Sequence, residues 1–313
     1  MSDRAVITVA VVGPTCTGKS GLALALARRY AAEIVNADAL QVYRGLDRGT
    51  AKPDLAARAA VPHHLFDILD PCERFSAGEF ARRARTAIDE IAARGRIPIV
   101  VGGSGFYLRA LFRGLAGVPP IPLAVRDALR RRLEREGLEA LRAELVERDP
   151  ATARRLPPGD RQRTLRALEV VAATGRSLSS WQAEPSAEER LPVLSVGLTL
   201  PRALLYDRIA ARAHAMLRGG WLEEIGDLLR GGVPDSAPAF QAIGYRQLLR
   251  HLQGACTLEE AMVEIIRATR RYAKRQETWF RREQVSAWFS SPDAFGLEQD
   301  VIEFLSREGI GGR

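Results

Sequence analysis

The segment Gly13-Pro-Thr-Cys-Thr-Gly18-Lys19-Ser20 decides the fold class of this chain. It follows the apolar residues 5–12 and precedes the Ala- and Leu-rich residues 21–30, an order that predicts a strand, a glycine-rich loop and a helix. Glycines let the backbone N–H groups of such a loop turn towards an anion, and the first turn of the helix adds its positive dipole end. The segment therefore predicts a phosphate-binding loop.

Two side chains of this loop predict how the phosphates are held. Lys19 can reach the terminal phosphates of a ligand, and the Ser20 hydroxyl is placed to bind Mg²⁺. We expect a phosphorylated ligand, with Mg²⁺ as cofactor, to contact the whole loop: Gly13, Pro14, Thr15, Cys16, Thr17, Gly18, Lys19 and Ser20. Kinases, motor NTPases and group transferases all hold phosphates in this way, so the loop alone leaves the reaction open.

The composition predicts a soluble, cytoplasmic protein. The chain has 313 residues, of which 46% are hydrophobic, enough for one large domain or two modest ones. No run of residues approaches the apolar length of a membrane span, and residues 1–4 lead into the first strand without a signal-peptide pattern. Its cysteines, Cys16, Cys72 and Cys256, are far apart in sequence and suggest neither a disulfide framework nor a zinc site.

The charge distribution favours a polyanionic partner. The chain has 46 Lys and Arg against 38 Asp and Glu, a formal net charge of +8. Residues 264–283 contain seven basic and three acidic residues, and five of the cations can share one side of a helix: Arg267, Arg271, Lys274, Arg275 and Arg282. This face can contact a phosphate backbone. It can also be a solvated surface over a helix that packs inward through Met262, Ile266, Ala273 and Phe280.

Strand and helix patterns alternate in the first hundred residues, which predicts a mostly parallel sheet with ligands at the carboxyl ends of its strands. Strands are expected at residues 5–12, 33–36 and 97–101, with helices at 19–30 and 76–94, the second of which begins with a capping box of Ser76 and Glu79. Residues 126–182 are helical in pattern and dense in Arg and Glu. A strand at 193–200, several helices and a last strand at 285–289 follow.

We therefore predict an α/β fold, in which a P-loop NTPase-like parallel sheet core carries a helical insertion domain. The expected parts are the first part of the core (residues 1–119), the insertion (120–190), and the second part of the core with its basic C-terminal helix (191–313).

The residues at two strand ends bear on the reaction. The strand at 97–101 ends in Gly102-Gly103-Ser104-Gly105 instead of the Asp that commonly serves Mg²⁺ in motor and signalling NTPases. The nearest acidic candidate is Asp38, just after the strand at 33–36. Its carboxylate could bind Mg²⁺ through water or accept a proton from an incoming nucleophile, and the alternative is an Asp that caps a helix.

Eight motifs, in order along nearly the whole chain, resemble those of the bacterial tRNA dimethylallyltransferase family. They are Gly13–Ser20, Asn36-Ala-Asp38-Ala-Leu-Gln41-Val-Tyr43, Gly49-Thr-Ala-Lys52-Pro53, Pro62-His-His-Leu-Phe-Asp-Ile-Leu-Asp70-Pro71, Gly102-Gly-Ser104-Gly-Phe-Tyr107, Arg163-x-x-Arg166-Ala-Leu-Glu169-Val170, Gly244-Tyr245-Arg246-Gln247 and Lys274-Arg-Gln-x-Thr278-Trp279-Phe280-Arg281. Eight ordered motifs are far more specific than one glycine loop.

The resemblance implies transfer of the dimethylallyl group of dimethylallyl diphosphate to N6 of the adenosine immediately 3′ of the anticodon, in tRNAs that read codons beginning with U. The phosphate loop, a nucleotide site in ATP-binding relatives of the fold, would then hold a diphosphate leaving group. The implied partners are the tRNA anticodon stem-loop and dimethylallyl diphosphate. We expect a monomer without an obligate protein partner.

The same resemblance implies the roles of particular residues. Asp38 matches the general base, Lys19 and the loop amides would stabilise the diphosphate, Ser104 matches a hydroxyl that contacts a phosphate oxygen, and Arg212 matches an arginine that reaches the diphosphate from a later helix. The matching tRNA contacts are Asp38, Ala39, Leu40, Gln41, Gln162, Arg163, Thr164, Leu165, Arg166, Gly244, Tyr245, Arg246, Gln247, Lys274, Arg275, Gln276, Glu277, Thr278, Trp279, Phe280 and Arg281.

Two positions depart from the family pattern. Ala39 stands where the family commonly has Ser, so that hydroxyl is lost, and Ser104 stands where Thr is usual, which keeps the hydroxyl but frees its rotamer. The pair His63 and His64 belongs to the pattern, and we expect it to be structural and not a metal site.

Alternative functions remain at this point: a small-molecule P-loop kinase, a free-nucleotide isopentenyltransferase, or an RNA-binding, NTP-dependent regulator. The two enzymes that act on small molecules would have little use for a basic terminal helix and an Arg-rich insertion.

Overall fold

A six-stranded parallel sheet forms the centre of the computed structural model, which describes residues 7–184, 190–290 and 293–310. Its strands are β1 (Thr8–Val12), β2 (Glu33–Asn36), β3 (His63–His64), β4 (Pro98–Gly102), β5 (Val193–Leu198) and β6 (Ala287–Phe289), in the order β3-β2-β4-β1-β5-β6. Each neighbouring pair is parallel. The predicted parallel α/β core is confirmed.

Helices cover both faces of this sheet. The first part of the chain contributes α1 (Lys19–Arg29), α2 (Leu55–Ala60), α3 (Ala77–Ala93) and α4 (Gly105–Arg113). The last part contributes α9 (Arg202–Arg218), α10 (Trp221–Arg230), α11 (Tyr245–Leu252), α12 (Leu258–Phe280) and α13 (Ala294–Arg307), with a short 3₁₀ helix at Pro238–Gln241. Along the described part of the chain, no helix is both long enough and apolar enough to cross a membrane.

The central strand is buried on both faces because its alternate side chains enter different cores. Val9 and Val11 pack with side chains of α1 and α13, whereas Ala10 and Val12 pack with side chains of α3 and α4. Successive residues of a strand point to opposite faces, so a strand with helices on both sides is apolar throughout. This explains why the segment before the phosphate loop contains so few polar residues.

The helical unit Arg113–Arg190 is compact by itself and separate from the unit that contains the sheet. It contains α5 (Leu123–Arg148), α6 (Pro150–Arg155), α7 (Arg161–Thr174) and α8 (Leu178–Ala183). Its core is formed by leucines and alanines, among them Leu141, Leu145 and Leu168. Gly137, with φ of 80°, interrupts α5. The predicted insertion begins at residue 120, whereas the unit begins at Arg113, because the change in composition lies a few residues after the structural boundary.

Capping explains where the long helices begin. Thr257 and Glu260 form a complete capping box at the start of α12. At α3 the box is half formed: Ser76 accepts a hydrogen bond from the Glu79 N–H, but the Glu79 carboxylate pairs with Arg82 and Arg83 instead. Three helices, α2, α4 and α13, lie where we expect none. The sequence of α4 begins with glycine and is short, so it offers no clear start signal.

Candidate active site at the carboxyl edge of the sheet

Strand register brings three predicted site segments to the same edge of the sheet. Val12 pairs with Gly102, and Val101 pairs with Asn36, so β1, β4 and β2 end side by side. The phosphate loop follows β1, the segment with Ser104 follows β4, and the segment with Asp38 follows β2. Ligands of open parallel sheets bind at this edge.

Glycine is required at two of these strand ends because backbone lies too close for a side chain. A Cβ on Gly13 would lie 2.3 Å from the Leu198 carbonyl oxygen, and the φ of Gly13 is 138°. A Cβ on Gly102 would lie 2.3 Å from the Ala37 carbonyl oxygen. The glycines thus allow the end of β1 to approach the end of β5, and the end of β4 to approach the segment after β2, without side chains between them.

The phosphate loop has the conformation expected of an anion-binding turn at a helix start. Gly18 precedes α1 in a left-handed conformation, with φ of 95°. Thr17 donates from its hydroxyl to the Pro14 carbonyl at 2.9 Å, and Lys19 Nζ donates to the same carbonyl at 2.5 Å. The Lys19 ammonium therefore lies over the loop, where the phosphates of a ligand would lie. Cys16 is a free thiol, as are the other two cysteines.

The charges of three side chains predicted to act together influence one another in the structure. Burial, together with the positive charge of Arg212 on α9, lowers the pKa of Lys19 to about 8, while the negative charge of Asp38 acts in the opposite direction. Two cations that repel each other in a partly buried site favour binding of an anion, because an anion relieves that repulsion.

Asp38 is held by a turn at the end of β2. Its N–H donates to the Asn36 side-chain oxygen at 2.9 Å, and its Oδ1 accepts from the Leu40 N–H at 2.8 Å. Asn36 is buried and donates from its amide to the Leu65 carbonyl at 3.0 Å. The next helix along the chain, α2, begins only at Leu55, so the alternative that Asp38 caps a helix is wrong. A partly buried carboxylate with one oxygen fixed leaves the other oxygen to take a proton.

Ser104 is joined to the Asp38 segment by a hydrogen bond. The Ala39 N–H donates to Ser104 Oγ at 3.2 Å, so the backbone at position 39 still contacts this hydroxyl although the family's usual serine is absent there. Ser104 is partly buried at the entrance to α4.

Tyr272 also belongs to the surroundings of Asp38 and Ser104, and it is not among the site residues predicted from the sequence. Burial and then the negative charge of Asp38 raise the pKa of the Tyr272 phenol, and hydrogen bonds with the side chains of Ser104 and Gln276 partly oppose that shift. Tyr272 and Gln276 are four residues apart on α12 and therefore share one face. The available sequence signal was this i, i+4 spacing of an aromatic and an amide residue, and the Arg275 guanidinium lies over the Tyr272 ring at 5.8 Å.

The predicted tRNA contacts divide by exposure. The exposed ones can meet a partner directly: Gln162, Arg163, Arg246, Lys274, Arg275, Thr278 and Arg281. Partly buried ones are Asp38, Ala39, Leu40, Leu165, Arg166, Glu277 and Trp279. A third set is buried: Gln41, Thr164, Gly244, Tyr245, Gln247, Gln276 and Phe280. Contact of any of them with tRNA stays a prediction, and the structure shows that the side chains of the third set pack inside the protein.

Several of these buried motif residues build a framework around Glu224. The Glu224 carboxylate, which is 9% exposed, accepts from the backbone N–H groups of Asp47 and Arg48 at 2.9 and 2.7 Å and from the Tyr245 hydroxyl at 2.6 Å. Trp221 packs so closely that a Cβ on Gly49 or Gly244 would lie within about 2 Å of its ring. The motif that begins at Gly49 and the motif that begins at Gly244 are thus joined through helix α10.

Loss of this carboxylate is expected to destabilise the fold. Glu224→Gln replaces an acceptor by an NH₂ group that faces N–H donors, and we expect the free energy of unfolding to fall by about 2–4 kcal/mol. Chemical denaturation measures this change. Glu223→Gln, at the exposed neighbouring position, is the matched control and is expected to change stability by less than about 0.5 kcal/mol. Equal stability of the two variants would contradict the framework role.

The histidine pair is engaged in structural contacts. His64 Nε2 lies 2.7 Å from the Glu33 carboxylate, which also binds Arg94, and His63 Nδ1 lies 2.6 Å from the Val61 carbonyl oxygen. Within residues 7–184, 190–290 and 293–310, no group of three or more His, Cys, Asp or Glu side chains could hold a metal ion. The two histidines therefore form contacts that stabilise the β2–β3 edge of the sheet.

Similarity to known proteins extends over most of the chain. A family model described as IPP transferase matches residues 41–283, and one described as isopentenyl transferase matches residues 6–59. The chain is 48% identical over 299 residues to the tRNA dimethylallyltransferase of Syntrophobacter fumaroxidans, which covers 94% of this chain and 86% of that protein.

Two solved structures share the fold. The tRNA isopentenylpyrophosphate transferase of Bacillus halodurans superposes with a TM-score of 0.71 at 36% identity, over 97% of this chain and 96% of that one. A eukaryotic dimethylallyltransferase, described as acting on tRNA, superposes with a TM-score of 0.84 at 27% identity, over 99% of this chain and 80% of that one.

Proposed function

Because the chain belongs to the tRNA dimethylallyltransferase family, we propose that it transfers the dimethylallyl group of dimethylallyl diphosphate to N6 of the adenosine immediately 3′ of the anticodon. The substrates are tRNAs that read codons beginning with U, and the second product is diphosphate. The observation that supports this most is the grouping of Asp38 with Lys19 and Arg212 beside the phosphate loop.

The reaction needs two kinds of group, and the site holds both. The N6 lone pair attacks C1 of the dimethylallyl group, the bond between C1 and the diphosphate oxygen breaks with its electrons on that oxygen, and the N6 proton passes to the Asp38 carboxylate. Lys19, Arg212 and the loop N–H groups stabilise the charge that grows on the diphosphate. The adenine amine is a weak nucleophile until its proton leaves, so the base and the anion site must act together.

Mg²⁺ fits the oxygen donors of this site. The Ser20 hydroxyl is exposed in the first turn of α1, and hydroxyl, carboxylate and phosphate oxygens are ligands that Mg²⁺ prefers. Ser20 would hold the ion, which when bound neutralises charge on the diphosphate. The Asp38 side chain would take part only through water.

The tRNA would present its anticodon loop with the target base out of its stack. A base in a single-stranded loop can enter a pocket that a duplex base cannot reach. The exposed cations of α12, Arg267, Arg271, Lys274 and Arg275, would contact the phosphate backbone. We propose a cytoplasmic enzyme that acts as a monomer.

Labelled dimethylallyl diphosphate separates this function from its alternatives. The protein is incubated with Mg²⁺ and either unmodified tRNA or AMP. Label in tRNA is the expected result, label in AMP would indicate a free-nucleotide enzyme, and no label in either would favour a kinase or an RNA-binding regulator. Transfer to tRNA that already has the modification is the negative control.

Removing two exposed cations of α12 is expected to weaken tRNA binding. The double variant Lys274→Ala, Arg275→Ala should lower the slope of log affinity against log salt by about 1.5, since each phosphate contact contributes about 0.7–0.9. Binding of unmodified tRNA at several salt concentrations measures it. Arg28→Ala, Arg29→Ala is the matched control, because these exposed arginines lie at the opposite end of α1 from the phosphate loop. An unchanged slope in the α12 variant would show that this face is only solvated.

A further inference from the structure

Gln276 on α12 joins two loops of the active site through its side-chain amide. Its Oε1 accepts from the Thr15 N–H of the phosphate loop at 2.9 Å, and its Nε2 donates to the Gly103 carbonyl at 2.9 Å. The residue is 6% exposed. A buried amide whose oxygen and nitrogen bind two different loops fixes the position of each loop relative to the helix.

Close packing leaves little freedom at this junction. A Cβ on Gly103 would lie 2.2 Å from Gln276 Nε2, and a Cβ on Gly105 would lie 2.2 Å from Trp279 Nε1. The helix therefore contacts the Gly102–Gly105 segment directly, with no side chain of that segment between them at these positions. A displacement of α12 must displace both loops or break these hydrogen bonds.

The same face of α12 also contacts the reacting groups. Tyr272, one turn before Gln276, interacts electrostatically with the side chains of Gln276 and Ser104, and Ser104 Oγ accepts from the Ala39 N–H beside Asp38. Contacts from one helix thus extend to the phosphate loop, to Ser104 and to the segment with Asp38.

The opposite face of α12 is basic and exposed. Arg271, Lys274 and Arg275 point to solvent, whereas Ala273, Gln276 and Phe280 are buried. A helix of this kind is a rigid element with an RNA-facing side and a site-facing side. A ligand that orders one side lowers the cost of ordering the other.

We propose that Gln276 is a positioning residue that couples tRNA binding on α12 to diphosphate binding in the phosphate loop, so that each substrate strengthens the binding of the other. The inference rests on the proposed function and adds to it a link between the two substrate sites. Gln276 acts through the Thr15 N–H and the Gly103 carbonyl and does not itself contact the reacting atoms.

The test compares the binding of inorganic pyrophosphate, with Mg²⁺, in the absence and presence of saturating unmodified anticodon stem-loop RNA. For the wild-type protein we expect the RNA to tighten the pyrophosphate Kd by about fivefold or more, the lower end of typical coupling between sites. In Gln276→Met, which keeps the length but loses both hydrogen bonds, the factor is expected to fall to about 1, within measurement error. A variant that is only less stable would bind both pyrophosphate and RNA more weakly, but RNA would still tighten pyrophosphate binding.

Two controls keep the result interpretable. Gln253→Met makes the same chemical change at an exposed glutamine that binds Asp235, and it should keep the wild-type coupling. The second, Lys274→Ala, Arg275→Ala, removes part of the RNA contact on α12, so it should weaken RNA binding and also lower the coupling factor. Should Gln276→Met fail to fold, Gln276→Asn retains the amide yet is one methylene too short to reach both loops, and it is expected to reduce the factor and to raise the KM for dimethylallyl diphosphate more than it lowers kcat.

Coupling that is equal in wild type and Gln276 variants would overturn the inference, as would independent binding of the two ligands to the wild type. Failure of the proposed function looks different: the wild-type protein would then transfer no label to tRNA. A wild type that is active, with coupling that does not depend on Gln276, refutes only the role of this residue.

Discussion

Asp38→Asn is expected to lower kcat by about 10²–10⁴-fold, the usual contribution of a general base, and to leave the Kd for tRNA nearly unchanged. Asparagine keeps the shape of the side chain and an oxygen that can accept from the Leu40 N–H, so the turn after β2 is preserved. It cannot accept the N6 proton. Single-turnover rates with saturating tRNA and dimethylallyl diphosphate measure the loss.

A matched variant separates this role from a general effect of removing a carboxylate. Asp70→Asn changes an exposed aspartate that pairs with Arg44 at the surface, and its rate should stay within about twofold of the wild type. Excess Mg²⁺ distinguishes the two roles considered for Asp38: recovery of the rate at high Mg²⁺ would indicate that Asp38 holds the ion through water, not that it takes the proton. An Asp38→Asn variant as fast as the wild type would refute both roles of Asp38.

Lys19→Met is expected to lower kcat/KM for dimethylallyl diphosphate by about 10²–10³-fold, because a charge that meets the leaving group in the transition state is lost. The Lys19 ammonium lies over the loop at the Pro14 carbonyl and beside Arg212, where growing negative charge on the diphosphate would be stabilised. Initial rates over a range of diphosphate concentrations at saturating tRNA measure the change.

The lowered pKa of Lys19 also predicts a pH dependence. In the free protein the ammonium loses its proton near pH 8, so pyrophosphate binding should weaken as the pH rises through about 8. The unfolded chain holds this proton up to its ordinary pKa of 10.5 and therefore binds more protons than the folded protein between about pH 8 and 10.5, so stability rises with pH across that window. Below pH 8 the charged, partly buried Lys19 is destabilising.

Lys19→Met should therefore be much less active than the wild type and yet slightly more stable at pH 7 without ligand. We expect Tm to rise by about 1–3 °C, with the difference narrowing towards pH 10. Lys19→Arg is the matched control, since arginine stays charged throughout and should show no inflection near pH 8 in pyrophosphate binding. A lower Tm for Lys19→Met at pH 7 would show that the ammonium stabilises the unliganded loop.

Patterns that act over a few residues were readable in the sequence. The phosphate loop could be recognised because strand, glycine turn and helix start are neighbours in the chain, and Asp38 because a carboxylate just after a strand of a parallel sheet lies at the ligand edge. The basic face of α12 followed from helical periodicity alone. In contrast, α13 could not be located, because its burial against α1 depends on a contact between the two ends of the chain.

Motif membership did not distinguish a contact residue from a framework residue. Tyr245 and Gln247 belong to a motif expected to contact tRNA, yet both are buried, and the Tyr245 hydroxyl binds Glu224. Gln276 was also expected to contact tRNA, but its side-chain amide binds two loops of the protein. Exposure depends on which helix packs on which, and a local pattern of residues does not contain that information.

The phosphate loop, the parallel sheet, the candidate base Asp38 and the basic helix could all be predicted from the sequence, because each depends on the spacing of residues within one or two adjacent elements. Three features became visible only in the folded protein: the charges of Arg212 and Asp38 act on Lys19, the charge of Asp38 acts on Tyr272, and Gln276 links α12 to the phosphate loop. These groups lie up to 261 positions apart in the chain, and what brings them together is the packing of α9 and α12 against the strand ends, which no local pattern encodes.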